Sequence, residues 1–290
     1  MITRRFTLGK TIQYIFISIV AITIIYPLLN VLAISFSGPL PIMQNKISFY
    51  PKDFNISAYK EVLTNPDLLL SYWNTIKYVT IGIIISMVVT ISGAYALSKG
   101  RRMFGYKFFN VMIIITMFFG GGLIPEYLTM KSLRLIDTTW IIVLIGAVSA
   151  WNLMVMRTFF RSIPAELEDA GRIDGLGDYG ILWFIVLPLS SAIIATISLF
   201  YGVALWNAYF VPYIYLKDQA KFPIQILLKQ YIIAGTTISQ ETAQGLGDSL
   251  IVGEALVNAT ITVAIAPIIL IYPFLQKYFV KGVMIGSLKG

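Results

Sequence analysis

Six long apolar runs alternate with short polar segments along this chain: roughly Thr11–Ser35, Trp73–Leu97, Phe108–Leu128, Thr138–Phe160, Leu182–Leu216 and Ile251–Tyr278. About 20 apolar residues are enough for a helix to cross the hydrocarbon layer of a membrane. The pattern therefore predicts an all-α, polytopic membrane protein with about six transmembrane helices, forming one transmembrane domain over residues 1–290. The fifth run is long because it includes an interfacial stretch before Pro188. The first follows Arg4, Arg5 and Lys10, like the basic start of a signal peptide. Its apolar stretch is too long and lacks a small-residue cleavage site, so it reads as a retained membrane helix.

Composition agrees. The 290 residues are 57% hydrophobic and 12% charged, with a mean hydropathy of +0.79. A soluble domain of this length carries far more charge. There is no cysteine and no histidine. Disulfides and cysteine-based metal sites are excluded, and the commonest general base and metal ligand is missing.

The net charge of +8 would suggest nucleic acid in a soluble protein; here its placement describes topology. Lys and Arg prefer the cytoplasmic side. With a cytoplasmic start and six spans, the inner segments are the N-terminus, Ser98–Lys107, the loop around Arg157–Leu182 and the C-terminus. They hold 13 of the 22 basic residues and five of the 14 acids, so the whole excess falls on one side. Both termini are expected in the cytoplasm. Two outer loops, Gly38–Tyr72 and Lys217–Gly247, suit either an external partner or plain solvation. Ser57 is the expected cap of a short helix in the first of them.

All five inner acids, Glu166, Glu168, Asp169, Asp174 and Asp178, lie in one loop. Ser162 is placed to cap a helix there, with Pro164 in its first turn and Glu166 and Glu168 favouring its positive end. Gly175 and Gly177 break that helix, and a second short helix over 178–186 leads to Pro188, where the span resumes. A polar, capped, rigid helical turn at a membrane surface is suited to dock a soluble partner and transmit force.

The loop's spacing resembles the cytoplasmic coupling loop of ABC importer permeases, which reads Glu-Ala-Ala, three residues, Gly, nine residues, Ile-x-Leu-Pro. Here Asp169-Ala170-Gly171, Gly175, Ile185, Leu187 and Pro188 stand at those distances. Asp169 replaces the usual Glu and Gly171 the second Ala. Gly120-Gly-Gly-Leu-Ile-Pro125, Met156-Arg-Thr-Phe-Phe160, Ile173-Asp-Gly175, Leu199-Phe-Tyr with Trp206-Asn207, and the tail from Gln276 to Gly290 look like carbohydrate-importer permeases of the maltose-permease type. They look most like the branch for oligosaccharides of plant or algal polysaccharides.

The resemblance implies a permease subunit in a bacterial plasma membrane, forming half of an oligosaccharide pathway. It implies a second, different permease chain, a pair of ATPase subunits that bind the ATP and Mg, and an extracytoplasmic solute-binding protein. This chain would hold no cofactor and catalyse nothing. The coupling residues would be Glu166, Glu168, Asp169, Ala170, Gly171, Asp174, Gly175, Ile185, Leu187 and Pro188.

Candidates for the pathway are Asn152, Trp206, Asn207 and Tyr209. Aromatic faces stack on sugar rings, Asn binds hydroxyls, and a buried Asn within a span needs a partner. Asn258 qualifies on the same ground. An interfacial aromatic belt accounts equally for the cluster, and Tyr213 and Tyr215 are assigned to it. Gly120–Gly122 is no phosphate loop, because no Gly-Lys-Ser/Thr follows; it reads as a break or close contact in the third span. Lys77 and Glu254 read as marginal, interfacial charges. A non-sugar cargo keeps the same architecture. An ion-coupled carrier would want ionisable groups at mid-membrane, and an intramembrane enzyme convergent catalytic groups; neither is found.

Overall fold

The computed structural model describes the backbone of residues 8–241 and 247–287 and the side chains of 9–233 and 253–273. Every regular element among them is a helix; one isolated antiparallel bridge pairs Ser37 with Phe54. The chain divides into two compact units, Met1–Leu69 with Leu227–Ala266, and Leu70–Ile226 with Pro267–Gly290.

The first unit contains α1 (Leu8–Ser35), α2 (Pro39–Met43), α3 (Ser57–Thr64) and the first turn of α4 (Pro66–Ser98). Ile12, Phe16, Ile22 and Ile24 of α1 each expose more than half of their surface, as suits a helix whose solvent is lipid. The segment after α1 is pinned by Phe36, which stacks on Tyr59 at 4.5 Å, and by the Ser35–Tyr59 hydroxyl pair at 2.8 Å. Ser57 is not the cap of α3. It is the first helical residue, and its N–H donates to Asn55 Oδ1 at 2.8 Å.

The second unit runs through α5 (Tyr106–Phe118), α6 (Leu123–Ser132), α7 (Thr139–Leu144), α8 (Ala150–Arg161), α9 (Ala165–Ile173), α10 (Asp178–Ile181), a π-turn (Leu182–Val186), α11 (Leu187–Leu189), α12 (Ser191–Trp206) and α13 (Phe210–Tyr215). The chain continues as α14 (Ile224–Glu241) and α15 (Gly247–Ser287).

Among the described residues, three helices are long and apolar enough to cross a membrane: Gly9–Ser35, Pro66–Ser98 and Gly253–Pro273. A fourth candidate is the pair Asp178–Leu189 and Ser191–Trp206, bent by 84°. The third and fourth predicted spans are not continuous. Phe119–Gly122 separates α5 from α6, where Gly122 takes φ +82° that a side chain would resist. An added Cβ at any of these glycines would meet nothing, so the run is a break and not a close contact. The break before α8 is satisfied from within the protein. Ser149 N–H donates to Tyr201 Oη at 3.0 Å, Tyr201 Oη pairs with Thr90 Oγ1 at 2.8 Å, and Ser149 Oγ accepts from Asn152 N–H. Buried backbone can leave helical geometry where protein groups complete its hydrogen bonds.

At one end of the second unit, α4 grips the stretch after α13. Asn74 Nδ2 donates to the Ala220 carbonyl at 2.7 Å, Tyr78 Oη to the Lys221 carbonyl at 2.8 Å, and Ile224 N–H to Thr75 Oγ1 at 2.9 Å. Asp137, at φ +60°, accepts from the Lys217 and Asp218 amides at 3.1 and 3.2 Å and pairs with Lys221 Nζ at 3.1 Å. Tyr215 is fully buried against Tyr127 and Ile141, so it is a packing residue and not part of an exposed belt; Tyr213 is exposed. Lys77 is exposed on α4.

The two backbone amides, then Lys221, hold the Asp137 carboxyl below its usual range. A lowered folded value gives stability that is complete above the unfolded value of about 3.9 and is lost as pH falls through the folded one. Amide protection at Lys217 and Asp218, measured by hydrogen exchange and corrected for intrinsic rate, should therefore hold steady from pH 7 to 5. Asp137→Asn should lower it about tenfold at both pH values, since a charge-assisted bond becomes a neutral one.

Candidate functional site

The acidic loop begins where α8 ends. Ser162 does not cap α9. It is the C-cap of α8, its hydroxyl donating back to the Phe159 carbonyl at 2.7 Å, and Pro164 stands at the N-cap of α9 instead. The proline fits because the first N–H groups of a helix lack intrahelical partners anyway. Glu166 and Glu168 occupy the first turn and Arg172 the last, the arrangement that the helix dipole favours.

The helix closes on Gly175, at φ +86°. Leu176 N–H donates to the Gly171 carbonyl at 2.9 Å and Gly175 N–H to the Arg172 carbonyl at 3.1 Å. These paired bonds form a Schellman cap, and Leu176 Cδ1 covers Gly171, lying 3.4 Å from where a Cβ there would stand. A Cβ at Gly171 would stand 2.6 Å from Ile185 Cδ1. The missing methyl at Gly171 is thus the seat of the Ile185 side chain, so two motif residues fourteen apart pack on each other.

After Gly177 the chain turns into α10 and widens into the π-turn. Leu187 N–H bonds to the carbonyl of Leu182, five residues back. Pro188 has no N–H to give, and its ring presses on the carbonyl four residues earlier; a widened turn relieves that clash. The sharp bend follows at Ser190, two residues beyond Pro188, where α12 departs at 84°. The Ser190 side chain is buried there.

One face of this loop is core. Leu176, Ile181, Leu182, Ile185 and Val186 pack with Met87, Ala94 and Tyr95 of α4 and with Met156 and Phe160 of α8. The other face is open. Glu166, Asp169, Ala170 and Asp174 are exposed, and with them Ile173 (86%) and Tyr179 (90%). Glu168 differs from its neighbours. It is partly covered and pairs with Lys99 Nζ at 2.5 Å, while that ammonium lies 4.1 Å from the centre of the Tyr95 ring. Arg172 pairs with Asp178 at 2.7 Å.

Of the pathway candidates, Trp206 is the one at the wall of the cavity beside α12. Trp206 is buried edge-on to Tyr72 and lines a cavity of about 750 Å³. The rest of its wall is nearly all apolar, including Val79, Ile83, Leu199, Val203 and Ile268, which suits hydrocarbon better than sugar hydroxyls. Asn152, Asn207 and Tyr209 are not on that wall. Asn152 is buried in α8, Asn207 donates to the Val203 carbonyl at 2.9 Å, and Tyr209 stacks on Tyr213. Asn258 Nδ2 donates to the Glu254 carbonyl one turn earlier.

Three residues that sequence reasoning treated only as charge or core carry structure here. Lys99 and Tyr95 hold the acidic loop. Arg157, buried in α8, donates to Asn110 Oδ1 at 2.8 Å and to Tyr106 Oη, tying α8 to α5. A signal existed for Arg157: Tyr106 and Asn110 stand four apart, on one face of the facing helix. None existed for Lys99.

The cap geometry separates two neighbouring glycines. Gly175→Ala should cost about 1–2 kcal/mol, the penalty for a side chain in the left-handed region. Gly177→Ala, at φ −77° with open space around it, should be near neutral. Thermal unfolding of the purified proteins in detergent checks both; equal losses would contradict the cap.

Over residues 3–285 the chain matches the family described as "Binding-protein-dependent transport system inner membrane component". It is 38% identical over 277 residues to the polygalacturonan/rhamnogalacturonan transport system permease protein YtcP of Bacillus subtilis, covering 96% of each chain. It is 39% identical to protein LplC of the same organism over 272 residues, 93% of this chain and 90% of that one. A crystal structure of a bacterial ABC transporter involved in the import of the acidic polysaccharide alginate superposes with a TM-score of 0.86 at 34% identity, over 96% of this chain and 99% of that one. With this match along nearly its whole length, and helices built to cross a membrane, the chain belongs to the family of inner membrane components of binding-protein-dependent transport systems.

Proposed function

We propose that this chain is a permease subunit of an ATP-driven importer of oligosaccharides, and that the loop from Ser162 to Pro188 is where an ATPase subunit docks. One observation carries the loop assignment. A rigid, capped helix presents exposed acids beside exposed Ile173 and Tyr179, while its opposite face is continuous with the core of the helices. Large apolar side chains at an acidic, water-facing surface mark an interaction site.

In this reading the chain crosses the membrane six times with both termini in the cytoplasm, as the charge distribution supports. The third and fourth spans are broken helices and the fifth is bent. A second permease chain, different from this one, completes the pathway, and an extracytoplasmic solute-binding protein delivers the cargo. ATP and Mg²⁺ bind to the ATPase subunits, because this sequence has no phosphate loop. The relatives named for polygalacturonan and alginate support an oligosaccharide cargo over the other solutes. Asn152, Trp206, Asn207 and Tyr209 remain the proposed contacts of the pathway.

Co-purification of the tagged chain from its native membrane tests this. Wild type should bring down an ATPase, a second permease and a binding protein whose ligand, read by mass spectrometry, is a saccharide. Gly175→Asp should lose the ATPase. A chain that purifies alone, or that keeps its ATPase despite the substitution, would sink the docking assignment.

A further inference from the structure

The two ends of α4 are held in different ways. At the Ser98 end the helix touches each part of the acidic loop. Gly100, just beyond α4, faces the Arg161 guanidinium at the end of α8; an added Cβ there would lie 3.2 Å from it. Lys99 holds Glu168 of α9, and Tyr95 Oη donates to the carbonyl of Asp178, at the start of α10, at 3.0 Å. The Lys99 ammonium rests on the same Tyr95 ring, so the two ties brace each other. At the other end Asn74, Thr75 and Tyr78 hold main-chain groups of Ala220, Lys221 and Ile224.

Thr75 and Tyr95 are 20 residues apart on one unbroken helix. At 1.5 Å per residue that is about 30 Å, the thickness of the hydrocarbon layer. A helix has little compliance along its axis, and the ties at both ends are directional hydrogen bonds or ion pairs. An element of this kind carries displacement instead of absorbing it.

We propose that α4 is a push-rod: Tyr95 and Lys99 take up movement of the acidic loop, and Asn74, Thr75 and Tyr78 deliver it to residues 217–224 on the opposite membrane face. The inference rests on the docking of an ATPase at the acidic loop. It makes Lys99 and Tyr95 positioning residues for transport, and residues 217–224 an output that senses the nucleotide state. Coupling of this sort is reciprocal, so an external protein bearing on 217–224 would bias the acidic loop through the same helix.

The absence of cysteine from the sequence gives a direct test. Gln219 is exposed within the segment that α4 holds. Gln219→Cys places a single thiol in this chain, read by the mass shift of this subunit after reaction with maleimide-polyethylene glycol. In the purified complex, trapping with Mg-ATP and vanadate should change the labelling rate at least about fivefold, the lower end of typical coupling. Lys99→Met should diminish the change and Lys99→Arg restore it, since arginine keeps both the ion pair and the ring contact; the apolar face shared by the loop and α4 carries the remainder. Asn74→Ala, remote from the acidic loop, should diminish it as well, and it decides the matter if Lys99→Met does not assemble. Trapped nucleotide should persist in every assembled variant, which separates weakened transmission from a damaged complex. A labelling change undiminished by Lys99→Met or by Asn74→Ala, or absent from the native complex, overturns the push-rod. A native complex that traps no nucleotide overturns the docking assignment on which it rests.

Discussion

Phe160, Ile181 and Val186 lie almost wholly out of solvent against Met87, Ala94 and Met156, so the acidic loop shares a core with α4, α8 and α12. The rest of the architecture depends on that packing. A loop attached only through its two chain ends would pivot on them. This one is fastened along a continuous apolar face, with each fully buried Ile or Phe contributing about 1.5–3 kcal/mol in transfer terms. Because protein interiors are close-packed, the loop and the helix ends beneath it move together or repack together.

The polar contacts follow a different logic. They sit where the helical pattern stops and stray backbone groups need partners. Tyr201 from α12 completes the break before α8, and Asn74, Thr75 and Tyr78 complete the turn between α13 and α14. In a low-dielectric layer an unpaired main-chain group costs several kcal/mol. These side chains therefore set where the chain can leave helical geometry. Arg157 is the extreme case: an ionised group buried among an asparagine, a tyrosine and a methionine sulfur, with no carboxylate on it among the described residues.

The apolar runs were readable in the sequence because length alone identifies a spanning helix; Leu8–Ser35 and Pro66–Ser98 lie where the pattern puts them. The end of α9 was also readable, since only glycine takes the backbone angle of Gly175 cheaply. The interruptions were less so. Phe119–Gly122 and the turn before α8 lie inside apolar stretches, and hydropathy does not register where backbone hydrogen bonds change partner. The bend falls at Ser190 and not at Pro188 because the proline acts on the turn before it, through the widened helix. Lys99 was invisible as a structural residue for a simpler reason. Its partner Glu168 is 69 residues away, and along the chain it counts only as one more positive charge.

The π-turn sets a limit on what this region tolerates. An α-helix becomes a π-turn when one residue is squeezed in without lengthening the ladder. Here that extra residue lies between the glycine that ends α9 and the proline that precedes the bend. The widened turn absorbs that residue locally, so the helix on either side keeps its phase and Leu176 and Ile181 stay in the core. A second residue added there would have no such relief; it would turn everything before it by about 100°, one residue's share of a turn, and swing both side chains toward water. The interval between Gly175 and Pro188 thus works as a phase setting, in which amino acids can be exchanged more readily than they can be added.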